Sequence, residues 1–195
     1  MKSLFSSHIE QKKLGLKPAI HQELKRTILK LPEMDTLGVK WSKKNYPNGY
    51  TSYGSLSNLD QQFSVFSELK RLLDREASKF VKAIGIEFPR GDLVLSSLWA
   101  NVMPKHCYHA FHLHPNSIVS GTYYVSVPKG TSPLRIEDPR APLFMACPAR
   151  SIQKDLIAKE GEIILFESWM KHEVPPHSSS DLRVSVSFNY DWIQS

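Results

Sequence analysis

The sequence predicts a mainly β domain, a sandwich or barrel, supported by helices at its amino-terminal end. Two observations carry this expectation. Residues 1–90 show helical periodicity over two stretches, and after Phe88-Pro89-Arg90-Gly91 the chain turns to short β-branched and aromatic segments. Pro and Gly then fall mainly between those segments, at Pro104, Pro128, Gly130, Pro139, Pro148, Gly161 and Pro175-Pro176, which opposes a parallel α/β sheet. A length of 195 residues suits one domain, with 1–90 as helical support and loop and 91–195 as the β core. A composition of 41% hydrophobic and 23% charged residues excludes a disordered chain, a collagen-like chain and a coiled coil.

Taken in order, Pro18–Leu31 reads as a short helix with Ile20, Leu24, Ile28 and Leu31 on one face. Residues 33–58, rich in Gly, Ser, Tyr and Asn, read as loop. A longer helix is expected from Leu59 to Ile84, with Ser57 and Asn58 as capping candidates. Its apolar positions Phe63, Phe66, Leu69, Leu72, Leu73, Phe80, Val81 and Ile84 form one stripe, so it should pack flat on an apolar surface. Strands are expected near 93–103, 118–127, 133–137, 161–167 and 182–190. Two of them have split faces. Val119, Gly121, Tyr123, Val125 and Val127 oppose Ser120, Thr122, Tyr124 and Ser126; Val184, Val186 and Phe188 oppose Arg183, Ser185, Ser187 and Asn189. The polar faces either meet water or line a lumen, and strand pattern alone leaves both open.

Charge and targeting signals narrow the partners. The net charge of +6 is concentrated in residues 1–90, but its positive residues alternate with acids, as in Glu68, Lys70, Arg71, Asp74, Arg75 and Glu76. That is a solvated helix face, so nucleic acid is disfavoured. No run approaches the roughly 18 apolar residues of a membrane helix, and the first residues lack a secretory apolar stretch. Cys107 and Cys147 are too few for a disulfide framework and suit a reducing compartment, so a cytoplasmic location is expected.

Four of the eight histidines fall between positions 106 and 114, in the string HCYHAFHLHP, and His172 follows later. Neutral imidazole is a common ligand for Fe, Zn, Cu and Ni. In an extended segment His112 and His114 share a face and can grip one ion, whereas His106 and His109 lack that relation unless the backbone turns. A zinc site is poorly supported, because no CxxC pair is present.

Two stretches, LWANVMPKHCYHAFHLHPNSIVSGTYYVSVP and GEIILFESWMKHEVPPHSSSDLRVSVSFN, together resemble the core of the 2-oxoglutarate/Fe(II)-dependent oxygenases. The branch most similar reads His-x-His-Pro followed by Ser-Gly-x-Tyr-Tyr, and the resemblance spans about residues 92–190 with an echo in Tyr50-Thr51-Ser52-Tyr53. It implies a cupin-like double-stranded β-helix, or jelly roll, buttressed by the helices. It also implies Fe(II), 2-oxoglutarate and O2, with His112, His114 and His172 as metal ligands and Arg183 on the distal carboxylate of the co-substrate. Ser185, Tyr124 and Asn101 would be its further contacts, and Trp169, Tyr108 and Arg140 are candidates for the border of a substrate pocket.

The expected reaction is hydroxylation of a small molecule, amino acid or peptide, coupled to decarboxylation of 2-oxoglutarate to succinate. A homodimer would be in keeping with such an enzyme. His114 departs from the family, which mostly has Asp there. Two consequences follow. Asp138, at the end of a strand, becomes an alternative third ligand, and a three-histidine dioxygenase of cupin type that needs no 2-oxoglutarate becomes the competing enzyme. A non-catalytic jelly-roll binding protein is the remaining alternative.

Overall fold

The computed structural model describes residues 4–88, 90–140, 142–146 and 151–194; Pro89, Cys147 and Pro148 lie outside the described residues. Two antiparallel sheets face each other. The larger has the order β1-β8-β5-β10-β3-β2 and the smaller the order β4-β9-β6-β7. Their strands are β1 Ile9–Lys13, β2 Tyr50–Thr51, β3 Asp92–Met103, β4 His109–His112, β5 Val119–Ser126, β6 Leu134–Glu137, β7 Gln153–Leu156, β8 Glu162–Glu167, β9 His172–Val174 and β10 Arg183–Ile193. This is the jelly roll expected.

The helices α1 Pro18–Met34 and α4 Ser64–Ala83 lie on the outer face of the larger sheet. Leu24, Ile28 and Leu31 of α1, and Phe66, Leu69, Leu73 and Ala77 of α4, bury against Val119, Tyr123, Val125, Val184, Val186 and Phe188. Both predicted stripes are therefore the ones used, and burial of such side chains is worth about 1.5–3 kcal/mol each. A second cluster, including Met103, Tyr124, Phe166, Leu134, Ile136 and Val174, fills the space between the sheets. The polar faces of β5 and β10 turn inward to that space. Ser120 and Ser185 are each only 1% exposed, so the lumen alternative is the one realised.

Three expectations need correction. Residues 33–58 are not loop: α2 spans Thr36–Asn45, and β2 follows it. Asp35 starts α2 by accepting from the Gly38 amide at 2.8 Å, as an N-cap carboxylate does. It also accepts from Tyr50 Oη (2.8 Å) and Ser55 Oγ (2.6 Å), which ties α2 to β2 and the turn beyond it. The helix expected over 59–84 is interrupted at Phe63, whose extended backbone (φ −137°, ψ 127°) separates α3 Leu59–Gln62 from α4. Here docking overrides periodicity: the Leu98 amide donates to Ser57 O at 2.6 Å and fixes the incoming chain on β3. Finally, β1, β4, β7 and β9 were not expected as strands; all four are short, and IEQKK and QKDL carry almost no apolar alternation to read. A further short helix, α5, spans Pro142–Ala146. No helix among the described residues is long and apolar enough to cross a membrane.

Glu76 fastens β1 to α4. Its side chain is 4% exposed and contacts Lys12, Arg75 Nε (2.6 Å) and Lys79 Nζ (3.3 Å). Those cations overcome its burial and hold its carboxyl at about 2. A carboxyl depressed in the folded state stabilises it above the unfolded pKa, and this contribution fades as pH falls through the folded one. Glu76→Gln is expected to cost about 1–2 kcal/mol at pH 7. The gap from wild type in urea unfolding should close between about pH 4.5 and 2; a gap that persists at pH 2 would contradict this role.

Gly121 lets β5 pass beneath an aromatic ring. A Cβ there would meet Phe188 Cζ at 2.5 Å and the Ile164 carbonyl at 2.6 Å, and the backbone neighbour cannot yield cheaply. Gly121→Ala is expected to destabilise by about 1–3 kcal/mol in a denaturant titration.

Candidate metal centre

The histidines are assembled by strand pairing across the smaller sheet. His112 ends β4 and pairs directly with His172 at the start of β9, and His172 pairs in turn with Ile136 of β6. His114 lies two residues beyond His112 and is anchored by its amide on Ser168 O at 3.1 Å. One ligand atom from each of the three rings falls within 4.8 Å of the others. The register of β4 against β9 shifts between His109 and His112. In a regular strand a spacing of three would send His109 to the opposite face. The shift instead stacks its ring on His112 at 4.0 Å, with Tyr46 edge-on at 5.4 Å. His106 remains apart, exposed on a left-handed backbone (φ 66°).

The rings are prepared as neutral donors. Burial disfavours the imidazolium at all four positions, and crowding by neighbouring histidines adds to it at three of them. The result is a downward shift at His112, to about 4 at His114 and to about 3 at His109, with His172 also strongly lowered. His112 and His172 donate Nδ1–H to the carbonyls of Ala110 and Met170, both at 2.8 Å. Each therefore carries a free lone pair on Nε2, as a metal ligand requires. Phe166 closes over His172 edge-on at 4.7 Å. His114 Nδ1 lies 3.3 Å from the Asn189 amide, whose Oδ1 accepts from Ser120 Oγ at 2.8 Å.

A narrow cleft between the sheets runs from these rings to Arg183, and Asn101, Thr122, Ser185 and Ser187 also line it. Arg183 starts β10 and is 3% exposed. Neither Asp181 nor Glu173 neutralises it; Glu173 is bound to Arg135. Among the described residues its one hydrogen bond is from Nη1 to the Met103 sulfur at 2.9 Å, a weak acceptor, and its Nε has no partner. The Tyr124 hydroxyl is also buried without a partner, and the guanidinium lies 5.2 Å above the Tyr124 ring. Ser185 is directly opposite Asn101, whose amide donates to Ser187 Oγ at 3.0 Å. Among the described residues the cleft thus presents one buried cation and several hydroxyls, with no carboxylate lining it. It can take an anion.

Other sequence candidates lie elsewhere. Asp138 accepts from Arg140 Nε (2.9 Å) and Nη2 (2.8 Å), and both residues line a separate groove beside Leu4, Phe5 and Met170. Trp169 is held at the surface by Glu167, which accepts its indole N–H at 2.9 Å. Neither Trp169 nor Tyr108 reaches the cavities around the histidines. The residues that do, Trp41, Tyr46, Tyr53 and Trp99, were not singled out from sequence. The echo at Tyr50–Tyr53 was the one signal pointing to them.

Comparison with known proteins agrees with this fold. Residues 97–189 match the family described as "Putative 2OG-Fe(II) oxygenase". No curated protein matches the sequence. Among solved structures, a 2OG-Fe(II) oxygenase family oxidoreductase from Burkholderia pseudomallei is 17% identical. It superposes with a TM-score of 0.50 over 65% of this chain and 57% of its own length. A Pseudomonas putida prolyl-4-hydroxylase is 14% identical, with a TM-score of 0.58 over 95% of this chain and 93% of its own. HygX from Streptomyces hygroscopicus, crystallised with nickel and 2-oxoglutarate, is 10% identical, with a TM-score of 0.64 over 95% and 83%.

Proposed function

We propose, for a chain that carries the core of the 2OG-Fe(II) oxygenases in residues 97–189, that the three histidines and Arg183 work as one site in a hydroxylase. The carrying observation is the buried Arg183 without a counter-ion, at the far end of the cleft that begins at His112, His114 and His172. A buried cation without a counter-ion costs on the order of several kcal/mol until an anion meets it. A dicarboxylate lying along the cleft satisfies both ends. One carboxylate takes the Arg183 fork with the Ser185 and Tyr124 hydroxyls, and its oxoacid end faces the metal ligands, beside Asn101.

The ligand set suits Fe(II), for which three protein donors on one face leave room for a chelating oxoacid and O2. Fe(II) when bound supplies the redox chemistry, by which 2-oxoglutarate, O2 and R–H become succinate, CO2 and R–OH. The protein orients the reactants and excludes water. With a metal held by its other ring nitrogen, His114 would keep the proton on Nδ1, and the Asn189 amide, turned over, could accept from it through its oxygen. Ser120 can serve either orientation of that amide, since its hydroxyl also reaches Ser168 Oγ at 2.8 Å. A cytoplasmic setting, where thiols stay reduced, fits the buried free Cys107.

Iron-loaded protein supplied with 2-oxoglutarate and O2 should form succinate slowly even without its substrate, one for each O2 consumed. O2 consumption independent of 2-oxoglutarate would favour the co-substrate-free dioxygenase. No consumption under any condition would leave a binding protein.

A further inference from the structure

A second cavity, of about 290 Å3, opens in front of His112 and His114, and its wall is aromatic. Three rings run edge to face towards the metal centre. Trp41 meets Tyr53 (6.0 Å, 64°), Tyr53 meets Trp99 (5.1 Å, 62°), and Trp99 meets His114 (5.9 Å). Trp41 comes from α2 and Tyr53 from the turn after β2, both outside the matched segment 97–189. They are held in place independently of any ligand. Ser42 Oγ donates to Thr51 O (3.1 Å) and accepts from Thr51 N (3.0 Å), and Asp35 clamps Tyr50 and Ser55. Gly54 packs flat on the Trp41 indole, where a Cβ would stand 2.4 Å from the ring.

Among the described residues that line it, none is Lys, Arg, Asp or Glu. An anionic ligand would be desolvated without a cation to meet it. A cation would gain from the ring faces but would sit beside the positive field of Arg183 and of a divalent ion on three neutral imidazoles, with Trp99 lining both cavities. The size is at the small end of ligand cavities, about 300–1,000 Å3. Tyr53 and Leu113 form an exposed rim, so a larger molecule can project outward from it.

We infer that the part of the substrate presented to the metal is an uncharged flat ring, monocyclic or bicyclic, held against the wall formed by Trp41, Tyr53 and Trp99. This rests on the site reading given above and extends it to the substrate class.

Mn(II), which does not turn over, and coumarin, a neutral bicyclic ring, test it in the full chain with 2-oxoglutarate present. The size-matched charged probes are 2-naphthoate and N,N,N-trimethylanilinium. Coumarin should bind, Mn(II) should speed relaxation of its protons, and each charged probe should bind at least about tenfold more weakly. Trp41→Leu combined with Tyr53→Leu should weaken coumarin by about tenfold or more and leave Mn(II) affinity unchanged, while Trp41→Phe should retain both. A charged probe binding as tightly, coumarin bound without relaxation by bound Mn(II), or no effect of the double variant would overturn the inference. Failure of Mn(II) to bind would instead overturn the metal centre. Quenching of Trp41 and Trp99 fluorescence would then report on the aromatic wall by itself.

Discussion

His172→Ala is expected to weaken Fe(II) binding by more than about 100-fold, because loss of a mere outer partner of a metal ligand already costs about 10–100-fold. His172 has no redundancy. It is 4% exposed, its Nδ1 is committed to Met170 O, and its partner across the strands is His112. His109, stacked on the other side of His112, lies outside the set whose ligand atoms converge. The variant should fold, since β9 keeps its backbone pairing with β4 and β6. Calorimetric titration of the apo protein with Fe(II) under anaerobic conditions measures the loss, and far-UV circular dichroism checks the fold. Iron binding within about threefold of wild type would remove His172 from the ligand set.

Arg183→Met separates the two enzyme readings and has an unusual stability signature. Removing an unpaired buried cation while keeping the side-chain volume should leave the apo protein as stable as wild type or more so, because the cation has no carboxylate to lose. In contrast, affinity for 2-oxoglutarate should fall roughly 100- to 1,000-fold, the usual consequence of losing one partner of a buried charge pair. Wild-type Tm should therefore rise with added 2-oxoglutarate in the Fe(II)-loaded protein, and that rise should vanish in the variant. A destabilised apo variant with an unchanged response to 2-oxoglutarate would make Arg183 a structural residue.

Legibility from sequence depended on whether a residue's neighbours are local. The helical stripes of α1 and α4 and the long strands β3, β5, β8 and β10 were readable because their periodicity reports one buried face each. His112 and His114 were readable from residue type and spacing, and Arg183 only through the resemblance to the oxygenase family. His109 was not, since its direction is set by a register shift that leaves no mark in composition. Trp41 and Tyr53 were hidden because 33–58 carries loop-like residues, whereas Asp35 uses three hydrogen bonds to fold that stretch into a helix and a turn. Tyr108, Trp169 and Arg140 lie close to the motifs in sequence. In the structure Glu167 holds Trp169 at the surface, Arg140 pairs with Asp138, and Tyr108 stays partly exposed outside the cleft.

The most direct test of a single site from the histidines to Arg183 is an anaerobic titration of Fe(II)-loaded protein with 2-oxoglutarate, followed by visible absorbance. Chelation of an oxoacid to iron creates a weak charge-transfer band that neither component has alone. The band should appear on titration of the wild type, be absent in His172→Ala, and in Arg183→Met require roughly 100-fold or more 2-oxoglutarate. Tight iron binding with no band, or a band with the same midpoint in Arg183→Met, would contradict the assignment.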